Sequence, residues 1–113
     1  MKYNYDNESD ILGINKSKLY NSIELIDGFW VDLDKKGSIV GVEVLDASKL
    51  LAKMSGNKIN KSFLENLKNI QFSVNKYGNS FILQIAFFSQ DNDQCNVSVP
   101  VYDIVPQSCL ASA

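Results

Sequence analysis

The 113-residue chain contains no histidine, no arginine and no threonine. Without His there is no Ser-His or Cys-His nucleophile, no imidazole metal ligand and no side chain whose ordinary pKa lies near neutrality. General acid or base work is left to a shifted carboxylate or lysine. Without Arg, all eleven cations are Lys, and the planar fork that reads guanine and clamps phosphate at two points is missing. A net charge of -2 adds no overall attraction to polyanions. No nucleic-acid partner is expected.

Cysteine is nearly as scarce. Cys95 and Cys109 are too few and too far apart in sequence for a metal knuckle, and nothing around Met1-Lys2-Tyr3 reads as a leader peptide. Two reduced thiols in a cytoplasmic protein are the expectation, with a bridge open only if their strands lie side by side. The longest apolar run, Phe81 to Phe88, is interrupted by Gln84 and has the length of one strand, so no membrane partner is expected. What remains is 45% apolar and 21% charged residues, the balance of one soluble globular domain.

Strand patterns open the chain. Lys2 to Tyr5 and Ile11 to Ile14 flank the polar turn Asp6 to Asp10, and Ser22 to Ile26 is a further extended stretch. In Phe29 to Leu33, the residues Phe29, Val31 and Leu33 share one face while Trp30, Asp32 and Asp34 share the other. Asp34-Lys35-Lys36-Gly37 then turns the chain into Ser38 to Leu45, which places Val40, Val42 and Val44 on a common face.

At Asp46 the period changes from two to nearly four. Ala47, Leu50, Leu51 and Met54 form one helical stripe, which Asp46 is placed to cap and Gly56 to end. A second helix is expected from Ser62, where Ser62-Phe63-Leu64-Glu65 has the capping-box pattern and Leu67 and Ile70 continue the stripe. Gln71 to Asn75, Ser80 to Phe88 and Cys95 to Tyr102 then read as a three-strand meander, with Pro100 marking an edge strand. The predicted fold is α+β: an antiparallel sheet or two packed β-hairpin layers, with two short helices in the middle of the chain. It divides into hairpins plus helix at 1–55, helix plus meander at 56–105 and a small polar tail at 106–113.

Three sets of residues invite a chemical reading. Asp32-x-Asp34-x-Lys36-Gly37-x-Ile39-x-x-x-Glu43 has calcium-loop spacing, and Asp32, Asp34 and Glu43 would be its ligands. Lys36 stands where an oxygen ligand belongs, and both flanks alternate as strands where that motif requires helices, so a hairpin tip is preferred and no metal is expected. Asp6, Glu8 and Asp10 form a second acidic set, and Asp91-Asn92-Asp93 a third; turns account for both, since short acidic side chains bond the local backbone. Trp30 shares the non-core face with Asp32 and Asp34. It is either covered by the chain's own helices or presented to a partner, and these three residues are the interface candidates.

The run Tyr5-Asp6-x-Glu8-x-Asp10-Ile11-Leu12, then Glu24, Asp27-Gly28, Val31-Asp32-Leu33-Asp34, Gly37 and Val40-Gly41-Val42-Glu43-Val44-Leu45-Asp46-Ala47-Ser48, resembles the small microbial family of domain of unknown function 2283. The resemblance covers Met1 to about Leu51. It implies a compact β-rich unit with a helix after Asp46-Ala47-Ser48, and it brings no activity, cofactor or catalytic residue. Where members typically carry an aromatic residue, this chain has Gly13. An antitoxin-like role as companion of a small toxin comes with the resemblance by analogy only. A chain without Arg would neutralise such a basic partner by direct contact and not by repressing DNA.

The expectation is therefore a non-enzymatic interaction or oligomerisation module without cofactor, in which exposed strand edges pair across a homodimer. A carboxylate and metal-dependent hydrolase built on Asp6, Asp10 or the Asp32, Asp34 and Glu43 set is the alternative from another class.

Overall fold

In the computed structural model, which describes residues 1–78 and 80–101, the first half of the chain is a five-stranded antiparallel sheet. Its strands are β1 (Lys2–Asp6), β2 (Ile11–Asn15), β3 (Asn21–Ile26), β4 (Phe29–Leu33) and β5 (Ile39–Val44), in spatial order β1-β2-β5-β4-β3. Helices α1 (Ala47–Ser55) and α2 (Lys61–Glu65) follow, then a second antiparallel sheet of β6 (Leu67–Tyr77), β7 (Ser80–Ser89) and β8 (Gln94–Pro100). The fold is α+β, with antiparallel sheets and two short helices between them.

Alternation along the strands decides which side chains reach the core. Leu12, Ile14, Val42, Val44, Phe29 and Val31 point inward from the first sheet, and Ile70, Phe72, Leu83, Ile85, Phe87, Cys95, Val97 and Val99 from the second. They join Ala47 and Leu51 of α1 in one core cluster that extends from Leu12 to Val101. Each large side chain buried this way contributes about 1.5–3 kcal/mol. Tyr3 stitches the layers, its hydroxyl donating to the Leu67 carbonyl at 2.9 Å, and the Lys16 ammonium lies 4.6 Å from the Phe72 ring centre. Among the described residues no helix is long and apolar enough to cross a membrane.

Several local expectations are corrected. β4 and β5 shift register between Asp32 and Leu33, so Ile39, which pairs with Leu33, enters the core cluster where Val40 was expected. The second helix begins one residue early and is capped by Asn60, whose side-chain oxygen accepts the Phe63 N–H at 2.8 Å; the Ser62 capping box does not form. That helix stops at Glu65, and Leu67 and Ile70 lie in β6. Their i, i+3 spacing matched a helix, but Ile70, Phe72 and Val74 also alternate, and pairing with β7 favours the strand. Asp46 adopts a left-handed conformation (φ 49°) and makes no capping bond to α1. Gly56 ends α1 as expected, at φ 65° with its N–H donating to the Ala52 carbonyl. Cys95 is a buried free thiol. Cys109, Asn79, Tyr102 and the 106–113 tail lie outside the described residues.

Candidate functional site

Two rows of residues run across the outward face of the five-stranded sheet. One is Lys2, Asn15, Gly41, Asp32 and Ser22; the other is Asn4, Gly13, Glu43, Trp30 and Glu24. Asp32 occupies the centre and is only 2% exposed. The Ser22 hydroxyl on β3 donates to its Oδ1 at 2.6 Å. Gly41, directly opposite on β5, makes the room for this carboxylate: a Cβ there would lie 2.8 Å from Asp32 Oδ2 and 2.9 Å from the Ile14 carbonyl oxygen.

Glu43 stands two residues along β5 on the same face, in diagonal reach of Asp32. Its hydrogen bond with the Asp32 carboxyl, burial and the Asp32 charge raise its pKa from 4.5 to about 7. At neutral pH the Glu43 carboxyl is poised between its protonated and ionised forms.

The pair opens onto a cleft of about 430 Å³ whose wall includes Lys2, Asn15 and Leu19. Gly13 keeps this cleft open. It faces Glu43 across the β2–β5 ladder, and a Cβ placed on it meets nothing within 4 Å. On the other side of Glu43 stands Trp30, half-buried.

The remaining acidic candidates do not converge on this cleft. Asp34 turns back into its own hairpin tip, where Oδ1 accepts the N–H groups of Lys36 and Ser38, both at 2.9 Å. The calcium-type set of Asp32, Asp34 and Glu43 is thereby split, its flanks being strands β4 and β5, and no group of three Asp, Glu or Cys side chains suited to a metal occurs among the described residues. Asp6 accepts the N–H groups of Glu8 and Ser9 within the first turn. Its hydrogen bonds with Ser9, and then with Glu8, hold its carboxyl below the usual range. Ser89 organises the last turn, its Oγ accepting the N–H groups of Asp91 and Asp93. Glu8 is exposed.

Asp10 has a different task. Its Oδ1 accepts the Tyr5 hydroxyl at 2.6 Å and the Ser48 N–H at 3.0 Å, its Oδ2 accepts the Ser48 hydroxyl at 2.6 Å, and its backbone carbonyl accepts the Ala47 N–H at 2.8 Å. A carboxylate from the first hairpin therefore caps α1 from 38 residues away. Burial opposes ionisation of Asp10, but the bonds from Ser48 and Tyr5, with Lys61 nearby, outweigh it and hold the pKa below the usual value. Burial, then the bond to Asp10, pushes the Tyr5 phenol well up. This clasp escaped the sequence reading because helix caps are sought next to the helix. Its signal lay in the spaced residues Tyr5, Asp10 and Ser48 of the family-like run.

The family model described as "Protein of unknown function (DUF2283)" matches residues 2–48. That stretch ends on Ser48 and holds every member of both networks: Ser22, Asp32, Gly41 and Glu43 of the pair, and Tyr5, Asp10 and Ser48 of the clasp. No curated protein and no solved structure matches the chain.

Proposed function

We propose that the chain is a non-enzymatic interaction module that receives a basic segment of another protein on the outward face of its five-stranded sheet. The observation that carries this reading is the pairing of the Asp32 and Glu43 carboxyls at the floor of the cleft that Gly13 leaves open. An ammonium group entering the cleft favours ionisation of Glu43, so binding and ionisation are coupled. Trp30, beside Glu43, supplies the large half-buried aromatic surface typical of an interface anchor. An antitoxin-like pairing with a small basic protein is one form of this function.

Affinity capture from native cells compares wild type with Trp30→Ala and Gly13→Tyr, each checked for folding by circular dichroism. A basic protein retained by wild type and lost with both folded variants is the expected result. Equal retention by all three overturns the reading.

The same pair favours a second reading, in which Asp32 and Glu43 act as general base and general acid of a metal-independent hydrolase. Turnover of a panel of glycoside and ester substrates that is lost in Glu43→Gln supports it. Absence of turnover across the panel counts against it.

A further inference from the structure

The charges of the five-stranded sheet are sorted by end. Strand register places the β2–β3 connection and the β4–β5 turn at one end, and the β1–β2 and β3–β4 turns with the exit of β5 at the other. All five lysines among residues 1–46, namely Lys2, Lys16, Lys18, Lys35 and Lys36, lie at the first end and are exposed. Its one carboxylate, Asp34, is engaged by its own turn. Asp6, Glu8, Glu24, Asp27 and Asp46 gather at the second end, together with Asp10, whose carboxylate is taken up by Tyr5 and Ser48 with Lys61 nearby. Strands of this length separate the two ends by about 15 Å, which exceeds the screening length of about 8 Å at physiological salt. The ends therefore do little to neutralise one another within a molecule.

Both ends also expose apolar side chains. Tyr20 (66% exposed) and Leu19 (43%) stand among the lysines, and Ile26 (43%) and Leu45 (41%) among the acids. At the basic end these residues shape a notch of about 500 Å³ between Lys18, Tyr20, Lys35 and Lys36. The Tyr20 N–H, bonded to the Leu33 carbonyl at 2.6 Å, fixes one wall to the tip of β4, and the Lys35 ammonium lies 6.0 Å from the Tyr20 ring centre.

We infer that the basic notch is a docking surface for the acidic end of a second copy of this chain. The contact is head-to-tail: the Asp27 and Glu8 turns of one copy meet the Lys35–Lys36 tip of the next, with Ile26 and Leu45 against Leu19 and Tyr20. The occupant is argued from complementarity, since the opposite end of the same sheet offers carboxylates and exposed aliphatic groups over the same sheet width. Because the two surfaces differ, the contact is heterologous and repeats along a row of molecules without closing as a twofold dimer does. Glu8, Asp27, Lys35 and Lys36 do not line the Asp32–Glu43 cleft, so this inference and the proposed function fail separately.

Sedimentation velocity on the full chain tests it, in salt of about 20 mM and about 500 mM. The mean mass is expected to rise with concentration past a dimer in low salt and to return to the 12.6 kDa monomer in high salt. Lys35→Glu with Lys36→Glu, and separately Glu8→Lys with Asp27→Lys, should each give a monomer alone in low salt. An equimolar mixture of the two double variants should regain salt-sensitive association, since the surviving pair of ends and the charge-swapped pair are both complementary. A wild-type monomer at all concentrations in low salt, or double variants that associate as wild type does, overturns the inference. So does tighter binding of a labelled single-stranded oligonucleotide than of a second copy at the Lys35–Lys36 tip.

Discussion

Replacing Asp10 with alanine separates the first hairpin from α1. Three hydrogen bonds to one carboxylate disappear, from the Tyr5 hydroxyl, the Ser48 N–H and the Ser48 hydroxyl. Bonds to an ionised group contribute about 1.5 kcal/mol or more when buried; the site is half-buried, so about 1 kcal/mol each is the appropriate figure. Loss of negative charge at the start of a nine-residue helix adds about 0.5 kcal/mol. The sum is about 3–4 kcal/mol, a large part of the roughly 6–17 kcal/mol expected for a domain of this size. Urea unfolding followed by Trp30 fluorescence reads the change directly, because Trp30 is the chain's single tryptophan. Asp46→Asn is the matched control: the side chain at 46 caps nothing, and asparagine tolerates the left-handed backbone, so a change below about 0.5 kcal/mol is expected. A loss under about 1 kcal/mol for Asp10→Ala, or an equal loss for Asp46→Asn, would refute the clasp as the element that holds α1 to the sheet.

Three further outcomes follow from the outward face and the core. Gly41→Ala pushes a Cβ against Asp32 and the Ile14 carbonyl, a backbone atom that cannot swing aside; it should cost about 2 kcal/mol in urea unfolding, and a neutral result would show that the close approach is not rigid. For Glu43 the folded state prefers the protonated form, so its contribution is complete below pH 4.5 and is lost as pH rises through about 7. The full shift corresponds to roughly 3 kcal/mol, reduced to about 2 by partial solvent contact. Wild type should therefore lose that much stability between about pH 5 and 8 while Glu43→Gln stays nearly level, and parallel pH profiles would contradict the coupling. Burial raises the Cys95 thiol pKa, although Lys58 pulls it down; peptide mapping after iodoacetamide treatment should find Cys95 labelled only as the chain unfolds, and rapid labelling of the native protein would contradict its burial.

Much of the fold was legible because its signals are local. Phe29, Val31 and Leu33 alternate against Val42 and Val44, and Gly37 takes the positive φ that the hairpin tip requires. What escaped depends on distant partners. The capping role of Asp10 needs Ser48 beside it in space, while the nearer Asp46 matched the usual cap position. Leu67 and Ile70 fit either period until β7 lies alongside β6. At the candidate site, alternation placed Trp30, Asp32 and Asp34 on one outward face, but burial sorts them by role: Asp32 is enclosed, Trp30 is half-buried and Asp34 is used by its turn. The sequence reading grouped Glu43 with Asp32 and Asp34, as calcium-loop ligands or as a hydrolase set, and did not single out its pairing with Asp32. Its diagonal contact with Asp32 across β4 and β5 is a property of register, and the cleft above it is a property of Gly13.

At neutral pH Glu43 is poised between its protonated and ionised forms because its carboxyl lies against that of Asp32 beneath an open cleft. Side-chain carbon-13 chemical shifts of the selectively labelled glutamates, followed from about pH 3 to 9 and assigned with Glu43→Gln, measure it directly. A Glu43 midpoint near 7 that falls when Asp32 is replaced by Asn is the predicted result. A midpoint at the ordinary 4.5, unchanged by Asp32→Asn, would contradict the account.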